Sequence, residues 1–301
     1  MTHQRTNVDP SRTRAALRGG EAIFGAGLIC AEVLAALTDL GLKLVDLTQV
    51  NFVTRSAPMG PVPAEVVHAA FYNFNPESIA AVIPAAWKSA TPEAILAAQA
   101  AAFSQPLAAA LSVVAPPELV ELATLSRIAA EVASRQQEGR PLLAGLASLP
   151  WPTDVHMIIW HAMKILREHR GDGHIACLVV EGLSGIEALV VHEALGPGPP
   201  MGILRPMRGW SHEAWADAIR GLRRRDWLTD DDVPTLSEEG RRRRRAIEDR
   251  TDELAANAFE PIGGANVERM ITIGGNVAKA LNAAGLGLAP HVRAFATDGA
   301  P

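Results

Sequence analysis

The sequence predicts a mainly α-helical protein with two domains, and three observations support this fold class. Apolar residues recur at intervals of three and four through most of the chain, whereas alternation with a period of two is almost absent from the first half. Proline stands in the first turn of several predicted helices, after a capping Asn or Thr. The 301 residues also exceed the roughly 100–200 residues of one typical domain.

The first half of the chain contains only predicted helices. Residues 1–19 are polar and are expected to be disordered, and an all-α domain is expected over residues 20–148. The proline-rich segment 54–64 interrupts this domain, because proline lacks a backbone donor and cannot continue a helix. Helices are predicted over residues 20–42, from Pro63 through Phe71, and over 77–89, 92–114 and 117–137.

The second half is expected to form another domain over residues 149–260, followed by a C-terminal helix and tail over 261–301. Three short helices, a hairpin and a long helix are the outline of a winged helix-turn-helix. The wing is stunted, since only residues 227–228 and 235–236 flank its acidic turn. The predicted elements are helices over 153–169, 174–182, 185–194, from Ser211 onward, 237–256 and 261–289, a turn at 171–173, and a short strand at Ile203 and Leu204.

Composition and charge limit the classes of function. Hydrophobic residues make up 48% of the chain and charged residues 20%, which is typical of a packed globular protein rather than a disordered one. The formal net charge of −5 disfavours nonspecific nucleic-acid binding unless positive charge is locally concentrated. Two cysteines, Cys30 and Cys177, are too few for a disulfide framework or a four-cysteine zinc site.

No secretory signal or membrane span is predicted. The N-terminal arginines have no apolar segment after them. The most apolar stretch, residues 175–195, is interrupted by Glu181, Glu187 and Glu193 and by two glycines, so it is expected to form two short helices. We therefore expect a cytoplasmic protein that does not associate with a membrane.

The segment from Ser211 to Arg245 resembles the MarR-type layout, in which a recognition helix precedes a short wing and the sequence LSEEGR opens the next helix. Over residues 20–256 the chain also resembles an actinobacterial group described as helix-turn-helix family proteins of unassigned role. The matching stretches are 55–62 (RSAPMGPV), 71–76 (FYNFNP), 85–90 (AAWKSA) and 166–174 (LREHRGDGH). Phe24 and Leu28 depart from the group, whose members carry His and Tyr in the first helix.

The densest group of ionisable residues is the segment 168–174 (EHRGDGH). The glycines on either side of Asp172 allow positive φ values, so a turn there is predicted to bring His169, Asp172 and His174 together as a catalytic group. An imidazole near a carboxylate suits a general base at neutral pH, with Asp172 orienting His169 or His174. The alternative is structural: Asp172 caps the following helix, and His169 satisfies carbonyl groups at the end of the preceding one.

A second set of polar residues is expected to bind a substrate in a cleft between the domains, where small-molecule sites often form. His68 and Tyr72 are four residues apart and His161 and Glu168 are seven apart, so each pair is expected to share a helix face. The alternative for Tyr72 is a core ring with its hydroxyl at the surface. The two arginines of the set could hold an anionic or carbonyl group. The substrate-binding candidates are Arg55, His68, Tyr72, Asn73, His161, Glu168 and Arg170.

The surface expected to meet DNA carries unfavourable charges. The predicted recognition helix contains Glu213 and Asp217, and the wing carries three aspartates at 230–232, all of which repel phosphates. The arginine runs at 223–225 and 241–245 could contact phosphates if they lay on one face, but five consecutive arginines wind around a helix. DNA is therefore a possible but disfavoured partner.

Three functions follow from these observations. We favour a small-molecule-binding protein, or a metal-free acid–base enzyme, acting on a hydrophobic metabolite of specialised metabolism at the domain interface. The first alternative is a ligand-responsive MarR-like transcription regulator that binds DNA. The second is a metal or haem protein that uses His161, His169, His174 or His192. No metal ligands and no cofactor are assigned, because the chain contains no recognised metal, P-loop or dinucleotide-binding motif.

The long predicted helix over residues 237–256 also bears on assembly. Ile247 and Leu254 are seven residues apart and form a narrow apolar seam among charged neighbours. Such a seam fits a helix–helix contact between two copies, so a homodimer is expected. The alternative is that the seam packs against the chain's own N-terminal domain.

Overall fold

The structure is a computed structural model that describes residues 8–196 and 202–287. The predicted fold class is confirmed: the described residues are mainly helical, and their β structure is limited to one isolated antiparallel bridge between Leu228 and Leu236. The helices of the first half are α1 (Pro10–Ile29), α2 (Ala31–Asp39), α3 (Leu47–Ser56), α4 (Ala64–Phe71), α5 (Pro76–Ala80), α6 (Ile83–Ser89), α7 (Pro92–Leu111), α8 (Pro116–Ala133) and α9 (Pro141–Ala147). Those of the second half are α10 (Val155–Val180), α11 (Gly185–Glu193), α12 (Leu204–Met207), α13 (His212–Arg224), α14 (Glu238–Ala256) and α15 (Gly263–Ala283).

The buried apolar residues form two core clusters, and α10 belongs to both. The first cluster is built by the N-terminal helices together with α15, which returns from the end of the chain to pack along α1. The second is built by the end of α10, by α11–α13 and by the middle of α14, around Trp215 and Trp227. On α10, Met163 lies in the first cluster and Leu178 in the second. The junction of the two cores therefore lies along the middle of α10.

The chain becomes helical earlier than expected. Residues 1–7 lie outside the described residues, but α1 begins at Pro10, so the disorder expected over 1–19 does not extend through this helix. Asp9 caps α1 by accepting a hydrogen bond from the backbone N–H of Ser11, and proline fits the first turn. Leu17 is buried against the first core. The polar composition of residues 1–19 concealed the start of this helix, because the apolar face of the helix is narrow.

Two further boundaries in the first half differ from the prediction. The helix predicted over 20–42 is divided into α1 and α2 at Cys30, whose backbone is extended (φ −61°, ψ 123°). The segment 54–64, predicted as a loop, begins inside α3, which continues to Ser56 because its first proline is Pro58.

The predicted turn at residues 171–173 is wrong, because α10 is continuous through both glycines. A glycine in a helix interior costs about 1 kcal/mol relative to alanine, and packing against neighbouring helices offsets that cost here. A Cβ placed on Gly173 would lie 3.8 Å from Leu254 of α14. Between the two glycines, Asp172 Oδ2 accepts a hydrogen bond from the backbone N–H of Leu143 at 3.0 Å. Asp172 therefore caps α9 rather than starting a new helix.

The second half follows the predicted order of elements with one exception. The strand predicted at Ile203 and Leu204 is wrong, because Leu204 begins α12. The buried Glu193 at the end of α11 accepts a hydrogen bond from the backbone N–H of Leu204 at 2.6 Å, which anchors this short helix. The wing is as small as expected, since a single bridge closes it.

Within residues 8–196 and 202–287, one helix has the length and composition of a membrane span. It is α7, and two bent helix pairs, α1 with α2 and α10 with α11, pass the same test when each pair is taken together. One face of α7 packs into the first core through Ile95, Phe103 and Leu107. The expected absence of membrane association stays a prediction.

The apolar seam of α14 packs within the chain. Ile247 is fully buried in the second core. Leu254, 38% exposed, lies beside Gly173 of α10. The seam therefore packs within the chain, but against the second core and α10 rather than against the N-terminal domain of the alternative. The expected homodimer stays a prediction.

Candidate ligand cavity between the two cores

A cavity of about 310 Å³ lies at the junction of the two cores. Its walls come from α1, α3 and the end of α4 on the side of the first core, and from α11 and α12 on the side of the second. The middle of α10 and one residue of α14, Arg244, complete it. The sequence positions these walls because α10 is long enough to cross from one core to the other.

The wall from α1 changes character along the helix. Arg14, Glu21, Phe24 and Leu28 recur at intervals of three, four and seven residues and therefore share one face. The first half of this face carries charges, and the second half, from Phe24 to Ile29, is apolar. The cavity thus has a charged part and an apolar part, arranged along a helix whose rise is about 1.5 Å per residue.

The wall from α10 explains which members of the EHRGDGH segment can act together. Arg167, Arg170, His174 and Leu178 lie on the face that lines the cavity. His169 precedes His174 by five residues, or about 1.4 turns, so the two imidazoles point to different sides. The continuous helix therefore separates His174 from His169 and Asp172, which the predicted turn would have brought together.

One group of ion pairs is centred on Glu168, which lies behind the cavity wall. Arg55 of α3 donates two hydrogen bonds to Glu168, at 2.8 and 2.7 Å, and Arg167 adds a third at 2.6 Å. Arg167 also pairs with Glu21 at 3.1 Å. Burial alone would raise the pKa of Glu168, but Arg55 and Arg167 lower it to about 2. Glu168 is therefore a permanent buried anion that holds two cavity arginines in place.

A second group connects α1 and α10 to α14. Arg170 donates to Glu248 at 2.7 Å and to Asp252 at 3.0 Å, and Arg14 lies 3.3 Å from each of the same carboxylates. Arg244 also pairs with Glu248 one turn away on α14. The wall of the cavity is thus fastened to the helix that follows the wing.

The imidazole of His174 is oriented by a hydrogen bond to α14. Its Nδ1 lies 3.0 Å from the hydroxyl oxygen of Thr251, and that hydroxyl donates its proton to the carbonyl of Ile247 at 2.7 Å. The Thr251 oxygen is therefore left to accept from Nδ1–H, which places the lone pair of neutral His174 on Nε2. This tautomer is the one that a general base toward the cavity requires.

The segment after α4 forms the third part of the wall. Tyr72 has a positive φ of 62° and lies beyond the end of α4, so the predicted helix face shared by His68 and Tyr72 is wrong. The Tyr72 hydroxyl donates to the carbonyl of Leu183, and the indole N–H of Trp210 donates to the carbonyl of Asn73 at 2.9 Å. These bonds tie the segment to the second core and place Tyr72 and Asn73 in the wall.

Arginines dominate the charges around the cavity. Aromatic rings cover the guanidinium faces of three of them: Arg167 over Phe24 at 4.2 Å, Arg55 over Phe71 at 4.4 Å and Arg208 over Phe74 at 4.3 Å. Burial, together with the nearby charges of Arg55 and Arg167, lowers the pKa of Arg208 to about 9. Among the described residues, the lining arginines are Arg14, Arg18, Arg55, Arg167, Arg170, Arg208 and Arg244. The carboxylates that line the cavity or pair with these arginines are Glu21, Glu168, Glu248 and Asp252.

The predicted site residues divide into two sets. Those that line the cavity are Arg55, Tyr72, Asn73, Arg170 and His174, and Glu168 supports Arg55 from behind. The others lie elsewhere. His169 is buried and its Nε2 lies 3.0 Å from Gln136, while Asp172 binds the backbone of α9. His161 packs edge-on against Trp151, with a pKa lowered to about 4 by burial, and His68 lies on α4.

Several cavity residues escaped the sequence analysis. Arg14 and Arg18 fell in the segment expected to be disordered, and the capping signal of Asp9 and Pro10 could have revealed their helix. Arg244 could have been found as the one arginine of its run that lies one turn before Glu248 on the buried side of α14. Arg208 had no signal, because it follows the short helix α12 and lies outside every motif that the sequence offered.

The described residues contain no group of three or more His, Cys, Asp or Glu side chains able to hold a metal ion. Of the histidines considered for a metal or haem, His174 and His192 line the cavity, whereas His161 and His169 face other parts of the first core.

The helix predicted to recognise DNA, α13, presents mixed charges. On α13, Trp215, Ala218 and Leu222 are buried, and the exposed side carries Glu213 and an ion pair between Asp217 and Arg220. The three wing aspartates at 230–232 are exposed. The arginine run at 241–245 winds around α14 as expected, with Arg244 buried and Arg241 exposed.

Comparison with known proteins identifies the family. A family model described as helix-turn-helix family matches residues 13–288, which is most of the chain, and the chain belongs to this family. No curated protein and no solved structure gives a match.

Proposed function

We propose that this member of the helix-turn-helix family binds a small metabolite in the cavity between its two cores. The observation that carries the proposal is the cavity itself, which joins an apolar wall to convergent polar side chains at a domain junction. Its volume of about 310 Å³ lies in the range of small-molecule sites. The finer expectations of a MarR-like origin, a role in specialised metabolism and a cytoplasmic location belong to this proposal.

Acid–base chemistry on the bound molecule falls to His174. It lines the cavity, and Thr251 orients its ring so that Nε2 carries the lone pair in the neutral form. An imidazole held in this tautomer can remove and return a proton through Nε2. His169 and Asp172, the other members of the predicted catalytic group, act at a distance, by holding Gln136 and α9 in the packing behind the wall.

Fluorescence of a neutral apolar probe tests the proposal. 1-Aminoanthracene brightens when it leaves water for an apolar cavity, and we expect saturable binding by the wild-type protein. The substitution Ala188→Phe fills part of the cavity, since Ala188 is a wall residue of α11, and it should weaken binding at least tenfold. Ala176→Phe, on an exposed position of α10, is the matched control. Equal binding by both variants would contradict the proposal.

A second candidate function is a ligand-responsive regulator that binds DNA, and the family match together with the α11–α13 arrangement favours it. Fluorescence anisotropy with duplexes from the upstream region, in a salt series, measures this activity. Sequence-selective nanomolar binding that weakens with salt, and is lost in Arg220→Glu but not in Arg12→Glu, would support it. Because the exposed face of α13 also carries carboxylates, we expect only weak binding that differs little between sequences.

A further inference from the structure

We propose that the cavity selects an amphipathic anion, with a carboxylate or phosphate head held by arginines and an apolar tail against the end of α1. This inference rests on the proposed function and adds to it the chemical class of the ligand. Four steps support it.

The arginines and their carboxylate partners occupy different depths. The side chains of Glu168 and Asp252 are 2% and 3% exposed, whereas those of Arg14 and Arg167 are 25% and 23% exposed. Glu168, Glu248 and Asp252 lie outside the cavity lining, and all the arginines that they bind are part of it. The deeper carboxylates therefore hold the guanidinium groups in place while the arginines form the surface that a ligand meets.

The composition of the wall favours negative charge. Among the described residues, seven arginines stand around the cavity against four carboxylates. Burial in a low-dielectric site strengthens the attraction of such a wall for an anion, because solvent screens it less. The lowered pKa of Arg208, caused by burial and by Arg55 and Arg167, agrees with this positive potential.

The ring contacts set the geometry of recognition. A guanidinium group stacked on an aromatic ring keeps its N–H edge available for acceptors in its own plane. The guanidinium carbons of Arg55, Arg167 and Arg208 each lie 4.2–4.4 Å from the centre of a ring of α1, of α4 or of the segment after α4. Arg55 and Arg167 use part of this edge to bind Glu168. Planar, bidentate donors of this kind match the oxygens of carboxylates and phosphates.

The apolar part of the cavity requires a tail. Phe24, Leu28 and Ile29 of α1 lie beyond the charged residues of the same helix, and Leu47 of α3 faces the same space. From Arg14 to Ile29 the helix axis rises about 22 Å, and the apolar part occupies the end of this wall from Phe24 onward. An inorganic anion would leave this apolar surface uncovered.

Displacement of bound 1-aminoanthracene tests the inference with probes that share a ten-carbon tail. Decanoate, decyl phosphate, decanol and decylamine are compared below their critical micelle concentrations. We expect the better of the two anions to displace the probe at a concentration at least tenfold below that of decanol, with decylamine the weakest. The comparison between decanoate and decyl phosphate identifies the preferred head group.

Two variants connect this preference to the wall. Arg208→Gln and Arg18→Gln should each reduce the ratio between anion and alcohol at least threefold, and Arg220→Gln, on α13 outside the cavity, should leave it unchanged. Circular dichroism confirms folding, and the wild-type comparison stands without either variant. Decanol or decylamine as strong as the anions would overturn the anion preference while the proposed function remains. Failure of 1-aminoanthracene to bind would reject the proposed function, and this inference with it.

Discussion

Asp172 lies in the interior of α10 and is 3% exposed, so its ionisable carboxyl group is buried. One oxygen accepts a hydrogen bond from the backbone of Leu143, and the other, Oδ1, has no hydrogen-bond partner among the described residues. Burial, followed by the nearby charge of Glu168, raises the pKa of Asp172 to about 7. Asp172 therefore caps α9, and ionisation of its carboxyl group destabilises the folded protein.

The pH dependence of stability should report this cost. In the unfolded chain the carboxyl group ionises near pH 3.8, but in the folded protein it ionises near pH 7. Between these values the folded state binds a proton that the unfolded state has lost, so this group's contribution to stability falls as pH rises. Asp172→Asn keeps an acceptor for Leu143 without the charge. The free energy of unfolding of the variant relative to wild type should rise by on the order of 2 kcal/mol from pH 4 to pH 8.

Urea unfolding at several pH values measures the difference. Asp172→Ala, which removes the cap as well, should be less stable than Asp172→Asn by about 1 kcal/mol at every pH. If the difference in the free energy of unfolding between Asp172→Asn and wild type stayed constant from pH 4 to pH 8, the pKa of Asp172 would not be raised in the folded protein.

Glu168 behaves in the opposite way. Its pKa is lowered to about 2, so its contribution to stability is present above about pH 4.5 and is lost as pH falls toward 2. Glu168→Gln leaves Arg55 and Arg167 without their shared anion, and we expect a loss of about 3 kcal/mol at pH 7 in denaturant unfolding. The exposed pair of Arg127 and Glu131 supplies the control, because Glu131→Gln should change stability by less than about 0.5 kcal/mol. Equal effects would contradict the buried role of Glu168.

At this scale the sequence located some site residues and misplaced others for one physical reason. Arg55, Arg170 and His174 were recognisable as polar residues within dense motifs, and they line the cavity. His169 and Asp172 were grouped with His174 because glycines normally interrupt helices, whereas contacts with α14 keep α10 continuous. Tertiary packing of this kind cannot be read from local sequence.

The packing of α1 on α15 depends on a close approach between two glycines. A Cβ on Gly19 would lie 2.6 Å from the Cα of Gly274, which is closer than real Cβ atoms approach. These two helices share the most extensive contact in the first core. The C-terminal helix is therefore an integral part of the N-terminal core rather than an appendage.

Gly19→Ala should destabilise the protein by about 2 kcal/mol, because the added methyl group forces the two backbones apart. Gly275→Ala is the matched control on α15, where no atom lies within 4 Å of the added Cβ. That substitution should stabilise the protein by about 0.5–1 kcal/mol through its higher helix propensity. Thermal unfolding measures the stability of both variants. If Gly19→Ala left the stability unchanged, α1 and α15 would have to be farther apart than the contact between Gly19 and Gly274 requires.

Helices were predictable where apolar periodicity was strong. The predicted boundaries were wrong where local composition favoured a different structure. Proline and capping residues located the starts of α7 and α14 within a residue or two. The apolar pair Ile203 and Leu204 favoured a strand by local composition, yet the carboxylate of Glu193 caps a short helix there. The return of α15 to the first core had no local signal, because nonlocal packing decides it.

For the whole molecule, assembly is open to a direct measurement. Burial of Ile247 in the second core leaves only Leu254 of the seam exposed, which weakens the argument for a homodimer. The expectation of a homodimer predicts a mass near twice 31.9 kDa by light scattering during size-exclusion chromatography at micromolar concentration. A mass near that of one chain would reject it, and the cavity, built from one chain, would be unaffected.

The family and the helical fold class were predictable from the whole sequence, whereas the cavity was not. Its walls come from seven helices distributed between residues 14 and 244, and no motif marks their convergence. The sequence contained the arginines that line the cavity, but they are far apart along the chain. They come together only where α1, α3, α10 and α14 meet.

A crystal structure of the protein with decanoate tests the central claim most directly. We predict density in the cavity, with the carboxylate about 2.7–2.9 Å from guanidinium nitrogens of the wall and the alkyl chain along Phe24 and Leu28. Density for decanoate at another surface while the cavity remains empty, or a chain bound with its carboxylate at the apolar end of α1, would contradict the account.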